Sequence, residues 1–144
     1  MADQIVDAPN ESDIDRIAHQ LMHADLVARE IAGRGLDGSR DDLKSIQSIL
    51  DAGAIDRDAT YTLQALGLAF GKVLVEQNPG FDWWMVEDEL GRDPAIRFEQ
   101  TPLLAFPMTM ISKRLEDGEQ VDVEALFDQF EQRLLKLASA QTGG

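Results

Sequence analysis

Residues 81–119, FDWWMVEDELGRDPAIRFEQTPLLAFPMTMISKRLEDGE, decide how the rest of the chain can fold. Trp83 to Leu90 is rich in aromatic and other β-favouring residues, Gly91-Arg92-Asp93-Pro94 has turn chemistry, and Ala95 to Gln100 makes a second short strand. Pairing Leu90 with Ile96 predicts a hairpin with Trp84, Val86, Leu90, Ile96 and Phe98 on one face. Trp83, Met85, Glu87, Glu89, Arg97 and Glu99 then share the other face, with Glu89 opposite Arg97. A one-residue slip would carry one strand's apolar set into water, which favours this register. Asp88 does not fit it, because it falls on the apolar face. Leu103 to Phe106 reads either as a third strand or as an extended crossover. Pro107 then opens a helix to about Asp117, since a first helical position needs no N–H. That helix offers Met108, Ile111 and Leu115 to the core and Lys113 and Arg114 to a flank, and Gly118 ends it.

Upstream of the hairpin the periodicity is helical. Residues 1–11 read as an acidic flexible tail, and residues 12–138 as a single domain. A helix is expected to start at Ser12, with Asp15 in its first turn, and to carry Ile14, Ile17, Leu21, Ala24, Ala28 and Ile31 as one apolar stripe. Gly33-Arg34-Gly35-Leu36-Asp37-Gly38 breaks it. A second helix is expected from about Arg40 to Ala52, and a third from Asp58 or Thr60 to Gln77, where Asn78-Pro79-Gly80 stops the run. Gly67 and Gly71 lie one turn apart in the third helix. Each costs about 1 kcal/mol of helix propensity relative to alanine, so another element should approach closely there.

Downstream, Asp122 caps a last helix in which Val123, Phe127, Phe130, Leu134 and Leu137 form a seam suited to another helix, in the same chain or in a homodimer. Residues 139–144 should fray. The expected class is therefore α+β: N-terminal helices, a small antiparallel sheet of two or three strands, and two C-terminal helices.

Composition excludes more than it assigns. Without cysteine there is no disulfide, thiolate nucleophile or cysteine-bound metal. A formal net charge of −14 argues against contacts with nucleic-acid phosphates or anionic membrane. It permits capture of a basic protein partner, or mimicry of nucleic acid, as well as simple solubility. The acidic N-terminus lacks the basic-then-apolar order of a secretory signal, and the apolar stretches are shorter than the roughly 20 residues that span a bilayer. The expected location is the cytoplasm.

Few residues carry chemistry. Gly33 to Gly38 matches G-x-G-x-x-G, but the preceding VAREIA continues a helix where a dinucleotide fold needs a strand, so an interhelical turn is the better reading. Asp15, His19 and His23 stack along one side of the first helix at metal-sharing spacing, but Gln20 stands where H-E-x-x-H carries its glutamate, and a solvated or interface histidine pair is the simpler account. No cofactor is implied. Glu87, Asp88, Glu89 and Asp93 crowd around Arg92 and Arg97. A carboxylate on an apolar face is where pKa values separate, so Asp88, with Glu87 and Arg92, is the candidate acid–base group; ion pairing is the alternative. Trp83, Met85, Glu87, Glu89 and Arg97 on the outer hairpin face, with Lys113 and Arg114 nearby, are the candidate binding surface unless a helix covers it. The acidic run from Glu116 to Glu131 reads as a solvated face.

The run LGLAFGKVLVEQNPGFDWWMVEDELGRDPAIRFEQTPLLAFPMTMISKRLEDGEQVDVEALF resembles the bacterial family called domain of unknown function 3806. The likeness lies in the aromatic strand leading to Glu87-Asp88-Glu89-Leu90-Gly91-Arg92-Asp93. It continues in Phe106-Pro107-Met108-Thr109-Met110-Ile111-Ser112-Lys113-Arg114 before Glu119 and Val121-Asp122-Val123, and spans Thr60 to Phe127. It implies a compact bacterial domain and no mechanism. The leading expectation is a non-enzymatic cytoplasmic interaction module with an acidic surface, of immunity or regulatory type. A small acid–base or hydrolase-like enzyme centred on Asp88, and a DNA mimic, are the alternatives.

Overall fold

A computed structural model describes residues 4–141. In chain order its elements are β1 (Ile5–Asp7), α1 (Glu11–Ile31), α2 (Asp41–Asp51), α3 (Thr60–Gln77), β2 (Phe81–Asp88), β3 (Gly91–Phe98) and β4 (Leu104–Ala105). A 3₁₀ turn (Pro107–Thr109), α4 (Met110–Glu116) and α5 (Val123–Gln141) follow. The four strands form one antiparallel sheet in the order β1-β2-β3-β4, so the fold is α+β as expected, with Leu104–Ala105 resolved as a strand.

The hub is α3. Leu63, Ala65, Leu66, Leu68, Ala69, Phe70, Val73 and Leu74 are all buried, more than one face of a helix can hold, so this helix runs through the core. The glycines in it explain one packing. A Cβ on Gly67 would collide with the backbone of Pro107 and Met108, and one on Gly71 would lie 2.9 Å from the Trp83 ring. Both glycines therefore admit the 3₁₀ turn and β2 against α3, the close approach that their spacing requires. On another side Phe70 meets Phe127 of α5 edge-on at 5.5 Å and stacks with Phe130 at 5.8 Å. The α5 seam of Val123, Phe127 and Leu134 is thus spent inside the chain. The sheet and the other helices close onto α3.

The hairpin exists, but its register differs from the expected one. Asp88 pairs with Gly91, Trp84 with Ala95 and Phe81 with Phe98, so the turn is Glu89-Leu90. Gly91-Arg92-Asp93-Pro94 is strand, not turn. Asp88 accepts the Leu90 N–H at 2.8 Å and Gly91 takes φ 138°, which closes the tight loop without an Asn-Gly pair. Pro94 is tolerated in β3 because β4 runs beside only Ile96 and Arg97, so no neighbour there needs its missing N–H. The faces change accordingly. Phe81, Trp83, Ile96 and Phe98 join the core, Met85 is buried, and Leu90 is 91% exposed at the tip. Trp84 turns outward, where the Arg97 guanidinium covers its ring at 4.4 Å. Arg97 pairs with Asp82, not Glu89.

Within the expected tail of residues 1–11, Ile5–Asp7 form a strand, while residues 1–3 lie outside the described residues. Val6 pairs with Val86, making β1 the edge of the sheet. Asn10, not Ser12, caps α1: its side chain accepts the Asp13 N–H at 2.8 Å while Asp13 accepts the Asn10 N–H at 2.9 Å, a reciprocal box. At the other end, Ser139–Gln141 continue α5 as helix where fraying was expected; residues 142–144 lie outside the described residues. Among the described residues no helix is long and apolar enough to cross a membrane.

Candidate functional site

The residues with the strongest chemical signature in sequence turn out to hold elements together. Arg92 projects from β3 toward the start of α1, where Asp13 takes a two-pronged set of hydrogen bonds, the shortest 2.6 Å from Nη2. Its Nη1 lies 2.9 Å from Asp7 and 3.3 Å from Glu87. One guanidinium thus ties β1, α1, β2 and β3 at a single point. Arg92 holds the Asp13 carboxyl below the ordinary aspartate range, against the opposing effect of burial. The same contacts raise the Arg92 pKa, so the pair is fully ionised at neutral pH. Arg16 extends the cluster to Asp93 at 2.9 Å.

Asp88 sits apart from this cluster. Its side chain is exposed and engaged in closing the turn, so the apolar environment that singled it out belongs to the discarded register. Glu89 is exposed beside it. Of the expected binding face, Met85 is buried, Trp83 is packed on α3, and Arg97 is anchored to the Thr101 and Gln100 carbonyls. Lys113 is exposed on α4, while Arg114 donates back to the Met110 carbonyl. The structure therefore does not gather these residues into one surface.

The histidines diverge too. His19 Nδ1 contacts the Asp15 carbonyl at 2.7 Å, whereas His23 bonds Thr62 and leans on Tyr61. Among the described residues no group of three or more His, Asp or Glu side chains could hold a metal. The Gly33–Gly38 loop is likewise occupied by the chain's own anions. Asp42 accepts from the Asp37 and Gly38 N–H groups, and Asp25 accepts the Leu36 N–H at 2.7 Å. Three consecutive N–H donors of the loop, those of Leu36, Asp37 and Gly38, are thus taken up by the chain's own carboxylates.

The structure also contains a groove that no sequence motif marks. It has a volume of about 1030 Å³ and runs between the end of α2, the loop leading to α3, and the segment after α4. Leu50, Ile55, Leu115 and Val121 supply apolar lining; Asp51, Asp56, Glu119 and Asp122, all exposed, supply carboxylates, with Arg57 the one cation among the lining residues. Gln47 braces it. Its amide donates to Asp51 at 2.9 Å and to the Val121 carbonyl at 3.1 Å, and accepts the Val123 N–H at 2.8 Å, binding the start of α5 to α2. Glu119 and Asp122 come from the acidic run that reads as a plain solvated face. Only the distance between residues 47–57 and 115–122 hid the site.

A family model for a domain of unknown function, DUF3806, matches residues 42–127. The chain belongs to that family. The matched segment takes in α2 as well as the stretch from Thr60 on which the likeness rests, and it contains every residue lining the groove. No curated protein matches the chain. A crystal structure from Bacteroides thetaiotaomicron VPI-5482 is similar in fold, with a TM-score of 0.79 at 18% identity, over 87% of this chain and 46% of that one. The chain thus spans less than half the length of that neighbour, and at such identity the likeness concerns the fold alone.

Proposed function

We propose that this DUF3806 chain is a protein-interaction module whose groove receives a basic, amphipathic segment of a partner protein. One observation carries the reading: apolar side chains and four carboxylates share a single concavity of peptide-sized volume with one opposing cation. The apolar lining takes up the aliphatic side of such a segment and the rim pairs with its Lys and Arg side chains. The overall charge of −14 favours encounter with a basic partner. A cytoplasmic role of regulatory or immunity type, in which a basic protein is sequestered, is consistent with this chemistry.

The test is a fluorescence-anisotropy titration with a labelled Lys/Leu amphipathic peptide, for wild type and for Asp56→Lys/Glu119→Lys. Two exposed ion pairs at about 0.7 kcal/mol each amount to roughly tenfold in affinity, and reversing the charges should cost at least that. Added salt should weaken the wild-type complex. Equal binding by wild type and the reversed variant would remove the groove from consideration.

A further inference from the structure

The exposed side of α1 carries an apolar seam that none of the described residues covers. Ala18, Met22 and Leu26 follow one another at four-residue spacing and are all exposed, Met22 at 61% and Leu26 at 58%. The core-facing side of the same helix is formed by Ile17, Ala24 and Ala28, so α1 is apolar on two sides. At 3.6 residues per turn, Asp15, Ala18, Met22, Leu26 and Arg29 fall within an arc of roughly 80°. Large exposed apolar side chains grouped in this way on one helix mark a contact surface.

We infer that a second copy of the chain docks on this face as an antiparallel helix pair, with Met22 on the twofold axis. The order of residues on either side of Met22 identifies the occupant. In that pairing Asp15 meets the partner's Arg29, Ala18 meets the partner's Leu26, and His19 meets the partner's Asp25. Small lies against large and acid against base, and the symmetry produces each contact twice. Asp15 and Arg29 stand about 21 Å apart along the helix, so their ion pairs close the seam at its two ends. Arg29 is already oriented along the helix by Asp25 at 2.9 Å. A generic basic segment would pair with Asp15 but set like charge against Arg29, whereas a copy of the same helix sets Asp15 against Arg29 at both ends of the seam. The surface is separate from the groove, none of whose lining residues comes from α1.

The absence of cysteine makes the geometry directly testable. Met22→Cys places a single thiol on the axis, and a short thiol-reactive linker should convert this variant largely to a covalent dimer. Leu90→Cys, at the exposed hairpin tip, should remain largely monomeric under the same treatment. Sedimentation of the wild-type chain at moderate salt should show a monomer–dimer equilibrium between micromolar and millimolar concentration. Met22→Asp should weaken it about tenfold or more. Arg29→Glu should weaken it as well, and adding Asp15→Arg should restore it by exchanging the two charges. A wild-type chain that is monomeric throughout that range overturns the inference. So does equal cross-linking of the two cysteine variants, or a dimer indifferent to Met22→Asp.

Discussion

Replacing Arg92 by methionine tests what the charged hairpin is for. The substitution keeps the stem volume and removes the group that binds Asp13, Asp7 and Glu87 together. Asp13 is left with an 8% exposed side chain and the Asn10 N–H as its remaining hydrogen-bond donor at the site. Stranding one partner of a buried pair costs about 3–5 kcal/mol. Arg92 itself is 22% exposed, which lets water reach the vacated site, so the expected loss lies near the low end. A loss of about 3 kcal/mol corresponds to a melting temperature lower by roughly 10 °C in a domain of this size.

The pH dependence has a definite sign. Arg92 lowers the folded-state pKa of Asp13, so the stability contributed by this carboxylate is complete above its unfolded value, near 3.9. That stability is lost as pH falls through the lowered folded value. In the variant, burial is opposed only by the Asn10 N–H and the charge of Arg16, so the Asp13 pKa rises relative to the wild type, and the deficit is largest at neutral pH and narrows on acidification. Asp13→Asn combined with Arg92→Met should recover part of the loss, because no charge is then stranded. Urea denaturation at pH 7 and pH 4, followed by circular dichroism and tryptophan fluorescence, measures Arg92→Met, Asp13→Asn and the double variant against the wild type. A deficit within about 0.5 kcal/mol at pH 7, the range of an ordinary surface change, would refute the clamp. The same deficit with Asp13 already replaced would refute it too.

Other outcomes follow from the same structure. Gly67→Ala gains about 1 kcal/mol of helix propensity but drives a methyl into the Pro107 and Met108 backbone, which cannot rotate away; overpacking of about 1–3 kcal/mol outweighs that gain and leaves a net loss of up to about 2 kcal/mol in urea unfolding. Asp42 should titrate above ordinary aspartates and Asp13 and Asp25 below them, as read by carboxyl-carbon NMR: burial raises Asp42 despite its N–H donors, so this group favours the fold less as pH rises through its folded value. An Asp42 midpoint below the ordinary range would contradict that assignment. Gln47→Ala removes the brace between Asp51, Val121 and Val123 and should cost about 1–2 kcal/mol of stability together with affinity for the basic peptide; unchanged values in both assays would show that the groove holds its shape without it.

The parts of this fold that were legible in the sequence are those fixed by local chemistry. Gly67 and Gly71 announced a close approach because a helix has little other reason to tolerate two glycines a turn apart. Pro107 and Gly118 bracketed a helical segment by their own backbone preferences. The hairpin was visible as two β-favouring runs, yet its register was not. Gly-Arg-Asp-Pro carries the residues of a turn, while the true tip, Glu89-Leu90, carries none of them. β1 escaped because three residues cannot display a period, and its partner lies some eighty positions away. The Asp13–Arg92 pair spans 79 positions and shares that invisibility.

This separation of local from distant information explains why chemistry and surface changed places. A run such as Glu87-Asp88-Glu89 next to Arg92 draws attention because its charges are adjacent in sequence, but adjacency in a strand sends side chains to opposite faces. Arg92 consequently reaches Asp7 and Asp13 across the sheet edge and becomes a fastener, and Asp88 is left to close a turn. The groove arises the opposite way. Asp51, Asp56, Glu119 and Asp122 look like ordinary solvated residues until Gln47 draws the loop before α5 onto α2. Its frame falls wholly within residues 42–127, the segment that defines family membership, whereas the seam on α1 lies outside it. The framework that forms the groove is therefore expected to recur wherever this segment folds in the same way, with partner choice set by the side chains on its rim. Pairing through α1 uses a helix that lies outside that segment, so it is expected to vary among members while the groove recurs.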